Sequence, residues 1–556
     1  MIQKAPADPT ERRLRLVAGS LIVVGMLVRV WWWAQARSLW IDEAMVAVNV
    51  LGRGLIDLTT APLNMQQAAP PGFLAILWFA ARAPIPIEYA LRLPALAFGL
   101  ALLPMTAVLT RRLGMGWLAT VLALTGLIIA PQLVHYAAAV KPYGVDATVT
   151  VGLLIAAVHP VARGTGLWKL IAAGVVGLVV STPAPFVLGG IGITGALASW
   201  RRRDGAEFAK WAAGGLLWLA CFGALYLFVL REVTSSPFMS RFWDATFLDW
   251  ADWRLLLRNW LFQGLGGRSD FPGWPGQGAV VVAAVACAIG ASVRRRSWWV
   301  TGLLLGPIVV VAVASAAGKY PFADRLLLFT VPLVAVAAGS GFEVVGTSGV
   351  RGAPLVALLL VVGSFGRGWA VLIKAPSAIM WREDLGPLLA DARFAAARSE
   401  PAYVFPGALP AWVVYSDPTR RQPERFRRFA ALSDSLGPPG GNAPSRGRAV
   451  VDEGRDLQFV DQGRPLIVGV ATGYEGVFRP TWNPRYQTDP GWGDNEAMRI
   501  GRATTGCVWT VFSHYKPFEM DSLHSALTRR GRSVETRLVA QGAEVRRYCP
   551  GAGRSG

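Results

Sequence analysis

The stretch SLWIDEAMVAVNVLGRG, residues 38–54, follows an apolar run closing with VRVWWWAQAR (28–37) and places two carboxylates, Asp42 and Glu43, at its end. A charged side chain beside hydrocarbon is costly, so the surroundings of this pair decide how the chain is read. Upstream, residues 14–36 form an apolar block of about the 20 residues a helix needs to cross a bilayer. Similar blocks follow at roughly 89–110, 116–132, 143–160, 167–181, 184–199, 211–230, 279–293, 297–316, 324–342 and 353–373. By length and hydropathy they predict about eleven spans. One shorter block, PGFLAILWFAARA (71–83), has the length of a helix lying along the membrane surface.

The composition agrees. Hydrophobic residues make up 53% of the 556 and charged residues 16%; mean hydropathy is +0.40. Soluble globular chains do not reach these values. A net charge of +20 would suit a nucleic-acid binder, but much of it lies in short clusters between apolar blocks: ERRLR (11–15), 111–112, WRRRDG (200–205) and 294–296. Short Lys/Arg-rich loops mark the cytoplasmic side of membrane proteins, so nucleic acid is set aside as a partner. With 71–83 on the surface, one threading puts every basic cluster in the cytoplasm together with the N-terminus. Loops 37–88, 133–146, 231–278 and 317–325, and everything after about 374, then lie on the outer face. The first block is too long for a signal-peptide core and lacks a small-residue cleavage site, so it reads as an uncleaved anchor.

The expected architecture is a polytopic α-helical membrane domain over 1–373 with juxtamembrane helices, followed by a soluble, extracytoplasmic α/β domain over 374–556. In that tail AYVFPGAL, AWVVYS, RAVVDEG, PLIVGVATG, CVWTVFSH and AEVRRYC read as strands. Residues 382–398 and 521–531 have helical spacing. GPPGGNAPSRGR (437–448) is a loop without the spacing of a phosphate-binding glycine motif. An oxidising outer compartment permits a Cys507–Cys549 disulfide.

The predicted outer loops collect the chemistry. Asp42 and Glu43 are either solvated loop carboxylates, which could also serve as N-terminal charges of a helix EAMVAVNVL, or a general base at the membrane surface. LNMQQAAPPGF (63–73) carries Gln67 before a rigid Pro-Pro. YAAAVKPYGVD (136–146) supplies Tyr136, Lys141, Tyr143 and Asp146; KYPFADR (319–325) supplies Lys319, Tyr320 and Arg325. Cations on outer loops run against the topological bias, which an anionic lipid head group would explain, as would pairing with Asp146 and Asp324. The two adjacent carboxylates also admit a divalent cation, while no His/Cys cluster has zinc-ligand spacing. Trp243, Trp250, Trp253, Trp260 and Trp274 in loop 231–278 read as an interfacial belt.

LWIDEA (39–44), QQAAPPGF, YAAAVKPYGVD and KYPFADRLLLFTVPLVAVAAGSG, in this order, resemble the GT-C glycosyltransferases. The likeness is greatest to the branch of protein O-mannosyltransferases and lipid A aminoarabinose transferases, and it covers most of the chain. The resemblance implies a bacterial inner-membrane transferase. It would move a sugar from a polyprenyl-phosphate donor to a hydroxyl of a protein, lipid or glycan, with inversion. Asp42 would be the base, with Glu43 beside it. Lys141, Lys319 and Arg325 would face the donor phosphate, and Gln67, Tyr136, Tyr143, Asp146 and Tyr320 would contact substrate. Ala139 departs from the pattern, since bacterial relatives often carry an acid there. A transporter of lipid-linked or anionic substrates and a catalytically silent scaffold are the rival readings. Spans nearly free of Asp and Glu speak against the first, because transporter sites lie near the bilayer midplane.

Overall fold

The computed structural model describes residues 9–231, 297–365 except 323 and 348, 383–436 except 418 and 420–421, 458–469, and 491–551 except 516, with scattered positions between 243 and 292. The chain divides into two compact units. The first takes Met1–Gln35, Ala69–Arg231 and Trp243–Ile373; the second takes Ala36–Ala68, Glu232–Phe242 and Lys374–Gly556. The second unit starts its long segment at Lys374, where the sequence reading put the boundary, and adds two earlier segments, Ala36–Ala68 and Glu232–Phe242. The stretch carrying Asp42 belongs to the same compact unit as the C-terminal domain.

The first unit is helical. Six helices among the described residues are long and apolar enough to cross a membrane: Pro9–Ala34, Ile87–Arg112, Tyr143–Arg163, Gly205–Leu230, Trp298–Ala316 and Arg325–Gly346. Pro71–Ala80, Trp117–Ile129, Leu167–Val180 and Ala353–Val362 are apolar but shorter. One reason the blocks of the sequence outnumber the long helices is proline. The block 116–132 stops as a helix at Ile129, and Pro131 opens a separate helix, Pro131–Tyr136. Most of block 279–293, and Trp250, Trp253, Trp260, Trp274, RAVVDEG and the loop 437–448, lie outside the described residues.

The hydrophobic effect does not drive helices together in lipid, so close backbone packing must. Helix Ala184–Arg201 meets Trp298–Ala316 at such a point. A Cβ on Gly190 would sit 2.3 Å from the backbone N of Pro307 and 2.5 Å from the carbonyl carbon of Gly306. Gly339 likewise faces the backbone of Trp117–Ile129, where a Cβ would come 2.7 Å from the Ala119 oxygen.

The second unit is built on a six-stranded mixed sheet of order β2-β3-β1-β4-β6-β5. Its strands are β1 (Ala402–Val404), β2 (Gln458–Asp461), β3 (Arg464–Val468), β4 (Val508–Ser513), β5 (Arg532–Ala540) and β6 (Ala543–Pro550). β1 pairs in parallel with β3 and β4, and the outer pairings are antiparallel. The Cys507–Cys549 disulfide is formed across the β4–β6 pair. AWVVYS is a correction: Leu409–Tyr415 is a helix with Pro410 in its first turn and Leu409 to Val414 all buried. Burial on every side erases the alternation that separates strand from helix. The described part of the predicted helical stretch, 383–398, contains two short helices, Leu385–Leu389 and Ala392–Ala396, the second capped by Asp391. Strands β2 and β5 and helices Pro423–Leu436 and Trp492–Ala503 were not read from the sequence.

In the basic run RRQPERFRRF, Arg425 is buried. It donates to both oxygens of Asp461 at 2.7 and 2.8 Å and to the Val413 carbonyl at 2.6 Å, while Trp412 Nε1 donates to Asp461 at 2.9 Å. This arginine fastens helix Pro423–Leu436 to the sheet.

Gly190→Val in the membrane unit should cost about 1–3 kcal/mol, the range for overpacking a tight contact. A lower unfolding temperature of the detergent-solubilised protein measures it; an unchanged value would contradict the close crossing.

Candidate functional site

Residues 38–41 are the approach to Asp42, and their backbone conformation sets where that carboxylate points. Helix Ile41–Gly52 begins with Trp40 at its N-cap position. An indole has no acceptor to offer the free amides of a helix start, so other groups must take them. Ile41 N–H donates to Glu383 Oε2 at 2.9 Å, and Trp40 N–H to Glu43 Oε2 at 3.3 Å. Leu39 N–H donates to the Tyr415 hydroxyl at 2.7 Å and Ser38 N–H to Asp384 at 3.4 Å.

The two adjacent carboxylates therefore differ. Glu43 is 1% exposed and turned back on the helix start. Asp42 lies half-buried in the same first turn. Neighbouring positions on a helix point about 100° apart, so the two carboxylates face different surroundings. Both carboxylates lie in the first turn and complement the helix N-terminus; Glu43 is not the solvated loop carboxylate of the simpler sequence reading.

Behind this turn the loop to Gln67 folds over the same helix. Asn49 Oδ1 accepts from Asn64 N–H at 2.9 Å, and Asp434 accepts from Met65 N–H and Asn64 Nδ2, each at 2.6 Å. Met65 and Gln66 both take positive φ, 61° and 54°. Such strain persists only where surrounding bonds enforce it. Gln67 is buried, its amide donating to the Met65 carbonyl at 3.2 Å.

Glu383 is a carboxylate that the sequence reading passed over. Its second oxygen lies 2.6 Å from His514 Nδ1. His514 follows the last residue of β4, has φ 51°, and keeps 47% of its side chain exposed. Burial alone would lower its pKa; the Glu383 charge and hydrogen bond, with Asp42 and Glu519 adding, raise it above the ordinary histidine value. The available signal was its place as one of four histidines, just past a strand end. Carboxyl ends of parallel strands are where α/β sheets gather ligand-binding residues.

The remaining predicted residues belong to the membrane unit. Pro131 has no N–H, so the Leu127 carbonyl four residues earlier loses its helical donor. Arg29, 0% exposed, supplies one through Nη2 at 3.1 Å, and its Nη1 donates to the Gly25 carbonyl at 3.0 Å. The bend so stabilised leads into Pro131–Tyr136. The chain then turns so tightly that a Cβ on Gly144 would lie 2.6 Å from the Tyr136 carbonyl oxygen.

Tyr136 and Tyr143 consequently meet edge to face, centroids 5.1 Å apart, and Lys141 is buried between them in the chain. The Arg325 guanidinium lies 5.8 Å from the Tyr143 ring and 5.9 Å from that of Trp243. Tyr320 packs on Phe186, its hydroxyl donating to the Leu326 carbonyl at 3.2 Å. Burial pushes the Tyr320 phenol well above its usual range, so it stays protonated. Asp146 is buried and accepts from Thr182 N–H at 3.2 Å, which ties it to the turn STPAP. Lys319 is exposed.

No protein-family model and no curated protein matches the chain. Among solved structures it is similar to ArnT from Cupriavidus metallidurans bound to undecaprenyl phosphate, at 15% identity and TM-score 0.44, over 96% of this chain and 97% of that one. The apo form of the same protein gives 15% identity and TM-score 0.44 over 95% and 98%. The apo oligosaccharyltransferase of Archaeoglobus fulgidus gives 11% identity and TM-score 0.43 over 78% and 68%. Both proteins are GT-C superfamily members. At these TM-scores the likeness assigns no role to any residue of this chain.

The raised His514 pKa has a stability consequence. The imidazolium–Glu383 attraction is fully present below the unfolded-state pKa of about 6.5 and is lost as pH rises through the higher folded value. His514→Gln should therefore lower the melting temperature more at pH 5.5 than at pH 9. An equal loss at both values would show that the imidazole is not charged in the fold.

Proposed function

We propose that the protein is a membrane glycosyltransferase of GT-C type, moving a sugar from a polyprenyl phosphate to a hydroxyl acceptor, with Asp42 as base. The carrying observation is the contrast within the first turn of helix Ile41–Gly52. Glu43 is buried and turned back on the turn itself, whereas Asp42 is half-buried and follows four amides, 38 to 41, that each have a side-chain acceptor. A base must be held in place and reachable, and Asp42 meets both requirements. The motif order that resembles GT-C enzymes supplies the reaction class.

In this reading the acceptor hydroxyl oxygen attacks the anomeric carbon from the face opposite the phosphate. The new C–O bond forms as the bond to the phosphate oxygen breaks, and the hydroxyl proton passes to the Asp42 carboxylate. An Asp with a free pKa of about 3.9 is a weak base, effective late in the step, when the attacking oxygen has become acidic. The polyprenyl phosphate leaves as a stable anion and needs nearby positive charge more than a proton. Lys141 and Arg325 are the cations suited to that task, Arg325 beside the Tyr143 and Trp243 rings; Lys319 is a third. Tyr136, Tyr143, Tyr320 and Gln67 are the substrate contacts that the resemblance implies. Asp146, through Thr182, would act on its architecture. Transfer is inverting, since one base and no covalent nucleophile are invoked.

The topology that goes with this reading places about eleven crossings in a bacterial inner membrane, with the N-terminus inside and residues 374–556 outside.

Purified protein, a panel of polyprenyl-phosphate sugars and membrane extract as acceptor source test the assignment. Asp42→Asn should lower transfer about 10²–10⁴-fold, the usual worth of a general base, leaving the melting temperature near that of the parent. Full activity in Asp42→Asn would remove Asp42 from the mechanism. No transfer with any donor would favour a transporter or a silent scaffold.

A further inference from the structure

Four consecutive amides lead into Asp42, and each finds a side-chain acceptor. Three of those acceptors, Asp384, Tyr415 and Glu383, come from the C-terminal domain. The helix start has no local cap other than Glu43. Its first amide is satisfied by a carboxylate 342 residues away in the chain.

Glu383 is 7% exposed. Burying a carboxylate is unfavourable unless both oxygens find donors. One oxygen takes Ile41 N–H at 2.9 Å and the other faces His514 Nδ1 at 2.6 Å. His514 in turn stands at the end of β4 with a positive φ of 51°. Its carbonyl is closely approached: a Cβ on Gly407 would lie 2.6 Å from that oxygen. The imidazole is thus set by the sheet, the carboxylate by the imidazole, and the turn carrying Asp42 by the carboxylate.

We propose that Glu383 and His514 are positioning residues for Asp42, so that the C-terminal domain is an integral part of the transfer site and not an appended recognition module. The proposal rests on Asp42 being the base. Neither residue touches the reacting atoms: Glu383 fixes the backbone at Ile41, and His514 orients the Glu383 carboxylate. A glutamine at 383 offers one acceptor where two are used, and its NH₂ would face a donor. An aspartate keeps charge and both acceptors on a shorter arm. Misplacing a catalytic group by about 1 Å costs about 10²-fold in rate.

The test uses the full chain in nanodiscs with whichever polyprenyl-phosphate sugar supports transfer by the parent. Glu383→Gln should lower kcat about 10²-fold with the donor KM unchanged. Glu383→Asp should recover part of the loss. His514→Gln, which leaves the Ile41 bond in place, should cost about tenfold and provides the readout if Glu383→Gln folds poorly. Amide exchange at residues 38–44 should quicken in Glu383→Gln. Wild-type kcat in both variants, or unchanged exchange at 38–44, overturns the proposal. Full activity in Asp42→Asn overturns the identity of the base instead, and exchange at 38–44 still reports whether Glu383 holds the turn.

Discussion

The amide of Ile41 donating to Glu383 is the contact on which the Asp42 turn depends. A helix start leaves its first amides without partners inside the helix. Usually a Ser, Thr, Asp or Asn just before the helix takes one of them. Here that position is Trp40, so the acceptors come from Glu43 and from the distant Glu383. The membrane unit solves the same problem in the same way. Helix Trp117–Ile129 begins after Gly116, which has no side chain, and Glu343 accepts from Ala119 N–H at 3.2 Å. A poor local cap lets tertiary structure decide where a helix begins.

Unsatisfied backbone groups also explain a buried charge in the membrane unit. An arginine inside an apolar helix is costly, yet Arg29 is fully buried in Pro9–Ala34. Pro131 removes one amide, the Leu127 carbonyl is left without its donor, and the guanidinium fills the gap. The bend it stabilises is the one from which Tyr136, Lys141 and Tyr143 project. Glycines at 190, 306 and 339 do the complementary work, letting backbones touch where lipid offers no hydrophobic drive. Rigid crossings and a supported bend together hold the cationic and aromatic motif in one conformation.

Within the proposed chemistry the carboxylates divide their labour by environment. Glu43, Glu383 and Asp384 accept backbone amides, and Asp146 holds a turn between helices. Asp42 is the half-exposed carboxylate of its turn. A base of modest strength suits a reaction whose leaving group is already an anion, because the attacking hydroxyl becomes acidic as the bond to carbon forms. What such a base requires is placement.

Apolar block length and the clustering of arginines are local properties, and the sequence by itself determined from them a many-helix membrane chain with a mixed α/β tail. It also marked Asp42, the YAAAVKPYGVD turn and the Cys507–Cys549 pair, because composition and order are visible without a fold. It did not show the interruption of block 116–132 at Pro131, and it misread AWVVYS, whose burial on all sides leaves no period to read. Only the tertiary structure decided that Ala36–Ala68 belongs with the C-terminal domain, that Glu43 turns back onto the helix start, and that Glu383 meets both the Ile41 amide and His514. The physical reason is range. Hydropathy is written residue by residue, whereas the acceptor for the amide of Ile41 lies 342 residues further along the chain and becomes its neighbour only once the sheet has formed.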